Sequence, residues 1–257
     1  MGVIGGALGY RLLRVLWPSH ANHLTGRAYA NKDKLKVVLG PDVYRELQGK
    51  TVVDFGCGEG LEAIRMVQNG AARVIGVDIQ ENFLATARAN AAKAGVSAEC
   101  QFVKTTTEKC DVVIAIDSFE HFENPKMILS IMRGLLKPEG YIWTSFGPPW
   151  RHPYGGHVFS PFPWAHLVFT ESALVRRRAE IKRDKVTRFN EIPEGLGQLT
   201  IRKFLNTVDA ANFDTLEFEP VPIRKVKFFA NRLTREFTTS IVRCKLRPRV
   251  ESMSMAA

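Results

Sequence analysis

The chain has 257 residues, 45% of them apolar and 24% charged, with a formal net charge of +10. That balance fits one α/β domain with insertions and excludes a chain too polar to bury a core. Four scattered cysteines, with no Cys-x-x-Cys pair, exclude a disulfide framework and a cysteine–histidine metal centre, and suit buried thiols in a reducing cytoplasm.

Residues 1–20 read MGVIGGALGYRLLRVLWPSH. Arg11 and Arg14 interrupt the apolar run, there is no A-x-A cleavage site, and Gly6 stands where a myristoylation signal needs Ser or Thr. The run is too short and too charged to span a bilayer. Leu8, Leu12, Leu13, Leu16 and Trp17 fall on one helical face. That face is expected to pack on its own domain or on a partner subunit, as in a homodimer. An interfacial membrane contact is the alternative.

Residues 27–47 have helical spacing, broken by Gly40-Pro41 and ended by Gly49. The period then changes. Thr51–Phe55 is a short β-branched run, the mark of a buried strand. A helix is predicted over Leu61–Gln68, a strand over Arg73–Val77, and a helix over Glu81–Ala94 that stops at Gly95. Strands follow at Ala98–Lys104 and Asp111–Ile116. Asn124-Pro125 supplies an N-cap with proline at the first helical position, and that helix runs to Leu136. Tyr141–Phe146 is a fifth strand. Helices are expected from about 171 and from the N-cap Thr200. Strands are expected at Phe213–Phe218 and Glu236–Lys245, and a frayed tail over 247–257. Strand and helix alternating through short glycine turns means a Rossmann-like, doubly wound α/β sheet, mostly parallel with an antiparallel last strand.

The segment VVDFGCGEG (52–60) leaves the first strand and opens a helix, the context in which a glycine loop means a nucleotide-like ligand. Gly56, Gly58 and Gly60 let the backbone approach a ligand. Twenty residues after Gly58, Asp78 in VIGVDI ends the second strand, where an acid accepts ribose hydroxyls. The spacing is GxGxG rather than GxGxxG. Asp54 and Glu59 would repel a pyrophosphate and suit a ligand with a cationic end.

At these residues the chain resembles the class I S-adenosylmethionine-dependent methyltransferases, in their small-molecule, type-11-like branch. VVDFGCGEG and VIGVDI are similar to the family's first two motifs, DVVIAIDSFEHFENP (111–125) to its fourth-strand motif, and LLKPEGYIWTSF (135–146) to its fifth-strand motif. The resemblance covers residues 50–146. It implies S-adenosylmethionine as cofactor and S-adenosylhomocysteine as product. It also implies roles for cofactor-binding residues: Phe55, Gly56, Cys57, Gly58 and Gly60 at the methionine moiety, Asp54 ordering the loop or reaching the amine, and Asp78 on the ribose. Ile79 would pack on the adenine, and Asp117 and Ser118 would flank the sulfonium. The acid that members often carry after the third strand is missing from VKTTTEKCD, where Thr105 or Thr106 would serve instead.

Residues 145–164, SFGPPWRHPYGGHVFSPFPW, leave the carboxyl end of the fifth strand and therefore start at the rim of such a site. They are expected to form part of a substrate mouth or lid, walled by Trp150, Tyr154, Phe159, Phe162 and Trp164 with His152 among them. His157 and His121 are the candidate bases for an acceptor that must lose a proton. Glu120 is expected to be structural or solvated. Tyr29 is a candidate to close over the cofactor. GPPW is similar to an amino-base motif, but it follows the wrong strand and begins with a glycine that cannot hold an amine.

The expected organisation is an N-terminal helical segment over 1–48, a methyltransferase domain over 49–246 with an aromatic lid at about 147–200, and the tail. The expected activity is methyl transfer to a small hydrophobic or aromatic acceptor, at oxygen before nitrogen or carbon, in the cytoplasm and without a metal. Two alternatives stay open. One is an RNA or protein methyltransferase using the basic surface, and the other is a non-catalytic binder of the cofactor.

Overall fold

The computed structural model describes residues 2–18, 32–183, 185–192 and 196–249. A seven-stranded sheet organises them, in the order β3-β2-β1-β4-β5-β7-β6. The strands are β1 (Thr51–Phe55), β2 (Arg73–Val77), β3 (Cys100–Val103), β4 (Cys110–Ile116), β5 (Leu136–Phe146), β6 (Phe213–Pro222) and β7 (Thr239–Pro248). The first five are parallel, while β7 runs antiparallel to both β5 and β6. Four elements have the bounds that their sequence punctuation predicts: β1, β2 and the helices α4 (Leu61–Gln68) and α5 (Glu81–Ala94), with Gly95 in the left-handed region closing α5.

Helices cover both faces of the sheet. On one face, α2 (Lys34–Leu39), α3 (Val43–Leu47), α4 and α5 bury Leu35, Leu47, Met66 and Leu84 against Val52, Val74 and Trp143. On the other, α6 (Pro125–Leu135) and α9 (Ile201–Ala210) bury Leu129, Met132 and Phe204 against Val113, Ile142 and Phe146. Asn124 caps α6 by accepting from Met127 N at 3.1 Å, and Thr200 caps α9 by accepting from Lys203 N at 3.0 Å. All four cysteines are buried, free thiols.

A third apolar cluster lies outside the sheet. It joins α1 (Gly6–Leu16), α7 (Ala165–Val168) and α8 (Glu171–Lys182) through Leu13, Trp17, Phe159, Phe169, Leu174 and Phe189. The N-terminal helix therefore does pack on its own chain, but by a narrower face than its sequence suggests. Gly9, Leu13 and Trp17 are buried, whereas Leu8 and Leu16 are more than half exposed.

Several boundaries differ from the sequence reading: β3 is shorter at both ends, β4 starts one residue earlier, α6 stops one residue sooner and β6 runs on to Pro222. The fifth strand starts at Leu136, because Leu136 pairs with Cys110 before a register shift. The last strand starts at Thr239, since residues 235–238 form a short helix. It also ends at Pro248, so the expected tail does not begin at 247. Arg247 pairs with Asp214, and Arg249 forms ion pairs with Asp209 and Asp214. Residues 27–31, with Tyr29 among them, and residues 250–257 lie outside the described residues.

Candidate active site

The strand order reverses between β1 and β4, and at that switch point a cleft of about 710 Å³ opens beyond the carboxyl ends. Its floor is the turn after β1. Gly56, Gly58 and Gly60 all adopt positive φ there. Gly58 has open space where a side chain would stand, and a Cβ on Gly56 would come within 3.1 Å of the Ser118 hydroxyl. A side chain at either position would encroach on the cleft. Gly60 is a glycine for a different reason: a Cβ there would meet the Phe102 ring at 2.7 Å. Gly60 is a packing position, and Cys57, buried among Gly76 and its neighbours, is another.

Several of the turn's amides are engaged within the chain. Gly56 N and Cys57 N donate to Val77 O, and Gly58 N donates to Asp78 Oδ2 at 3.0 Å. The other oxygen of Asp78 accepts from Gln80 N at 2.9 Å. The carboxylate is thus held rigidly at the end of β2, where it lines the cleft.

Beside it lies a second, mostly apolar cavity of about 370 Å³, lined by Phe55, Ile79, Thr105, Thr106, Phe122 and Ile128 among others. Ile79 is 86% exposed, so a flat apolar ring has a surface to cover. The predicted adenine residues are brought together here.

At the tip of β4, Asp117 sits at positive φ with its amide donating to Ser145 O at 3.1 Å. Its Oδ2 is 3.1 Å from Lys34 Nζ on α2. Asp117 Oδ1 and Asp54 Oδ2 are buried and have no hydrogen-bond partner among the described residues. Burial, and then Glu62, push the Asp54 carboxyl up to about 7, while Lys34 pulls it down. Burial alone would lower the Lys34 ammonium, but Asp117, Glu62 and Asp54 together raise it. The site is acidic, cation-seeking and not saturated by the chain itself, which fits the ammonium and sulfonium of S-adenosylmethionine.

His121, in the 3-10 turn Phe119–His121, lines the cleft near Asp117 and Ser118. His157 stands behind it, with ring centroids 5.8 Å apart. Burial, and then His121, push the His157 imidazole down to about 4, and its Nε2 has no partner among the described residues. Of the two predicted bases only His121 faces the cleft. Glu120 is buried and structural: Oε1 accepts from Gly147 N at 3.1 Å, and its carbonyl accepts from Gly197 N at 2.7 Å.

The aromatic loop is placed otherwise than predicted. Phe159 is wholly buried against Phe189, and Trp150 packs between His166 and Phe189. His152 Nδ1 accepts from Tyr154 N at 3.0 Å, and Trp164 Nε1 donates to Arg151 O at 3.1 Å. None of Trp150, His152, Tyr154, Phe159 and Trp164 lines the two cavities. Phe159 and Trp150 are part of the third cluster, while His152, Tyr154 and Trp164 lie outside it. The far wall of the cleft comes instead from Asn190, Ile192, Leu196 and Gly197, which the sequence reading missed. The Pro- and Gly-containing stretch EIPEGLG (191–197) was the signal there. Lys34 had none, because its partner lies 83 positions away.

A ligand with a cationic end, a ribose and a flat apolar ring finds each of them met along the cleft and the cavity beside it, and the fold so defined is that of the class I methyltransferases. Residues 53–144 match the family model described as Methyltransferase domain, which identifies this stretch as a domain of the S-adenosylmethionine-dependent kind. It is 38% identical over 111 residues to a ubiquinone biosynthesis O-methyltransferase of Neisseria meningitidis serogroup C (strain 053442), across 40% of this chain and 47% of that one. It is 39% identical over 101 residues to a ribosomal protein L11 methyltransferase of Vibrio cholerae serotype O1 (strain M66-2), across 39% of this chain and 34% of that one. The chain thus spans about half or less of the relatives it matches. A solved S-adenosylmethionine-dependent methyltransferase from Mesorhizobium loti shares the fold, with a TM-score of 0.54 at 17% identity, covering 80% of this chain and 95% of that one. Among the described residues no helix is long and apolar enough to cross a membrane, and no group of side chains is placed to hold a metal ion.

Proposed function

We propose that the protein transfers the methyl group of S-adenosylmethionine to the oxygen of a small, hydrophobic acceptor. The observation that carries this reading is the cleft itself. One end is acidic, with Asp117 lining it and the buried Asp54 beneath the turn, the middle is held by Asp78, and the mouth is walled by Phe122, Ile192 and Leu196 beside His121.

The bound cofactor supplies a methyl carbon activated by its sulfonium. The chain's own work is alignment and proton handling. Asp78 orients the ribose, Asp54 and Asp117 hold the cationic end, and the apolar wall keeps water from the acceptor. His121 would take the hydroxyl proton of the acceptor as its oxygen is methylated, the bound cofactor supplying the methyl group and keeping the electron pair of the broken carbon–sulfur bond. A hydroxyl needs that step, whereas a neutral amine can lose its proton later to solvent. His121 in the cleft therefore favours oxygen.

Calorimetric titration with S-adenosylhomocysteine tests the cofactor site, and a panel of phenols with labelled methyl donor tests the acceptor. Asp78→Ala should weaken binding at least about tenfold. His121→Asn should bind normally and turn over about 10²–10⁴ times more slowly. Methylation of RNA or of a protein substrate with no turnover of any phenol would replace this reading with the macromolecular one. Tight binding with no turnover of either would leave a non-catalytic binder.

A further inference from the structure

Between β6 and β7 the chain makes an insert, residues 223–238. β7 enters the sheet beside the carboxyl end of β5, with Val242 opposite Phe146, so the insert sits on the same edge of the sheet as the cleft. Its ends are pinned. Ile223 N donates to Thr238 O at 2.7 Å, Glu236 accepts from Ile201 N and Arg202 N at the start of α9, and the Arg151 guanidinium lies 5.8 Å from the Phe237 ring. Its tip is ordered too, because Asn231 Oδ1 accepts from Leu233 N at 2.8 Å and Thr234 N at 3.1 Å.

This ordered tip turns its apolar side chains outward. Phe228 is 89% exposed, Phe229 71% and Leu233 90%. Single exposed apolar residues are ordinary, but three on one pinned turn are not. Cations flank them: Arg224, Lys225, Lys227 and Arg232 are all exposed, and none forms an ion pair among the described residues. No acid occurs in sequence between Glu219 and Glu236. Glu219 is taken by Arg243, and Glu236 is turned inward to α9.

We infer that this insert docks the protein on an anionic phospholipid surface, with Phe228, Phe229 and Leu233 entering the acyl boundary and the flanking cations at the phosphates. An apolar tip ringed by cations matches the layering of a bilayer interface. A single-stranded RNA platform stacks bases on aromatic rings, and Leu233, as exposed as Phe228, offers no ring to stack on. The docking does not depend on the methyl-transfer reading. It would, however, set the mouth of the cleft near a membrane and draw the acceptor from lipid-soluble molecules.

The test is co-sedimentation of the full chain with phosphatidylcholine vesicles, with and without phosphatidylglycerol. The wild type should sediment only with the anionic vesicles, and less as salt is raised. The triple variant Phe228→Ser/Phe229→Ser/Leu233→Ser should lose about tenfold or more of that binding. Lys225→Gln/Lys227→Gln should lose binding at low salt while keeping the apolar tip. Titration with S-adenosylhomocysteine reads folding and the cofactor site separately, and both variants should match the wild type. Vesicle binding by a wild type that ignores S-adenosylhomocysteine would leave the docking standing and remove the cofactor reading. A triple variant that sediments like the wild type, or a wild type indifferent to phosphatidylglycerol, overturns the inference. So does a wild type that binds single-stranded RNA through the same residues and no vesicle.

Discussion

Asp54 is a buried carboxyl under electrostatic load at the site. It is buried beneath the glycine turn, one oxygen lacks a partner among the described residues, and its carboxyl is pushed up to about 7. Its unfolded value is 3.8, so the folded chain holds the proton more tightly, and stability falls as pH climbs from about 4 to about 7. Glu120, raised first by burial and then by Asp117, acts with the same sign. His152, His157 and His166 oppose them. Burial pushes each down to about 4, so their contribution is whole above about 6.5 and is lost as pH falls towards 4. The substitution Asp54→Asn separates these effects. Its stability gain over the wild type should be small at pH 4–5, grow with pH, and level off above about 7 at a few kcal/mol. Thermal melts of both proteins across that range check it. A gain that does not vary with pH would mean the carboxyl titrates normally. The same variant should bind S-adenosylhomocysteine more weakly, so that a group costly to the free protein is useful to the complex.

One buried side chain on α8 ties down the end of the N-terminal helix, beside the packing of Leu13 and Trp17. Arg177 Nε donates to the Trp17 carbonyl at 3.0 Å, just past the end of α1, and its Nη1 meets Glu180 at 2.7 Å. A guanidinium there satisfies a carbonyl left without a helical partner and complements the negative end of the helix. Arg177→Leu should therefore cost about 2–3 kcal/mol in chemical denaturation and speed proteolysis of residues 2–17. Unchanged proteolysis would mean that the remaining contacts, Leu13 and Trp17 in the third cluster and Tyr10 on Glu180, hold the helix without it. None of this was legible in the sequence, where Arg177 is one cation in an Arg176–Arg178 run and its partner lies 160 positions away. The parallel strands and α4 and α5 were legible because their signals are local. Thr51–Phe55 is β-branched and ends in glycine, and Glu81–Ala94 is Ala-rich and ends in Gly95. The aromatic loop was misplaced for a related reason. Aromatic composition announces burial but not the surface that is buried, so Phe159 reads equally well as a substrate wall and as the centre of a third cluster. Asp78 and Gly58, twenty positions apart, were found through a family spacing, and the structure joins them by a hydrogen bond.

The family match stops at residue 144, yet the sheet does not. If β7 and β6 were absent, β5 would become an edge, and the core on its α6–α9 face would lose one flank. Phe213, Val242, Cys244 and Leu246 are all buried in that core, beside Ile142, Phe146 and Phe204. Fully burying a side chain such as Val, Leu or Phe stabilises a fold by about 1.5–3 kcal/mol. The four together are worth several kcal/mol, against a whole-domain stability of about 5–15 kcal/mol. The freed β5 would also expose unpaired backbone groups over Ile142–Phe146, a template for association. A chain ending at residue 212 keeps every motif shared with the family and all five parallel strands. It should nevertheless melt without a cooperative transition, aggregate, and fail to bind S-adenosylhomocysteine, while the full chain does all three in the opposite sense. Calorimetry and light scattering on the two chains decide it. If the shortened chain melts cooperatively and binds, the parallel half is self-sufficient and the two antiparallel strands serve only to present the insert between them. If it collapses, the cofactor cleft is a property of the seven-stranded sheet, and the shared motifs are read correctly only inside it.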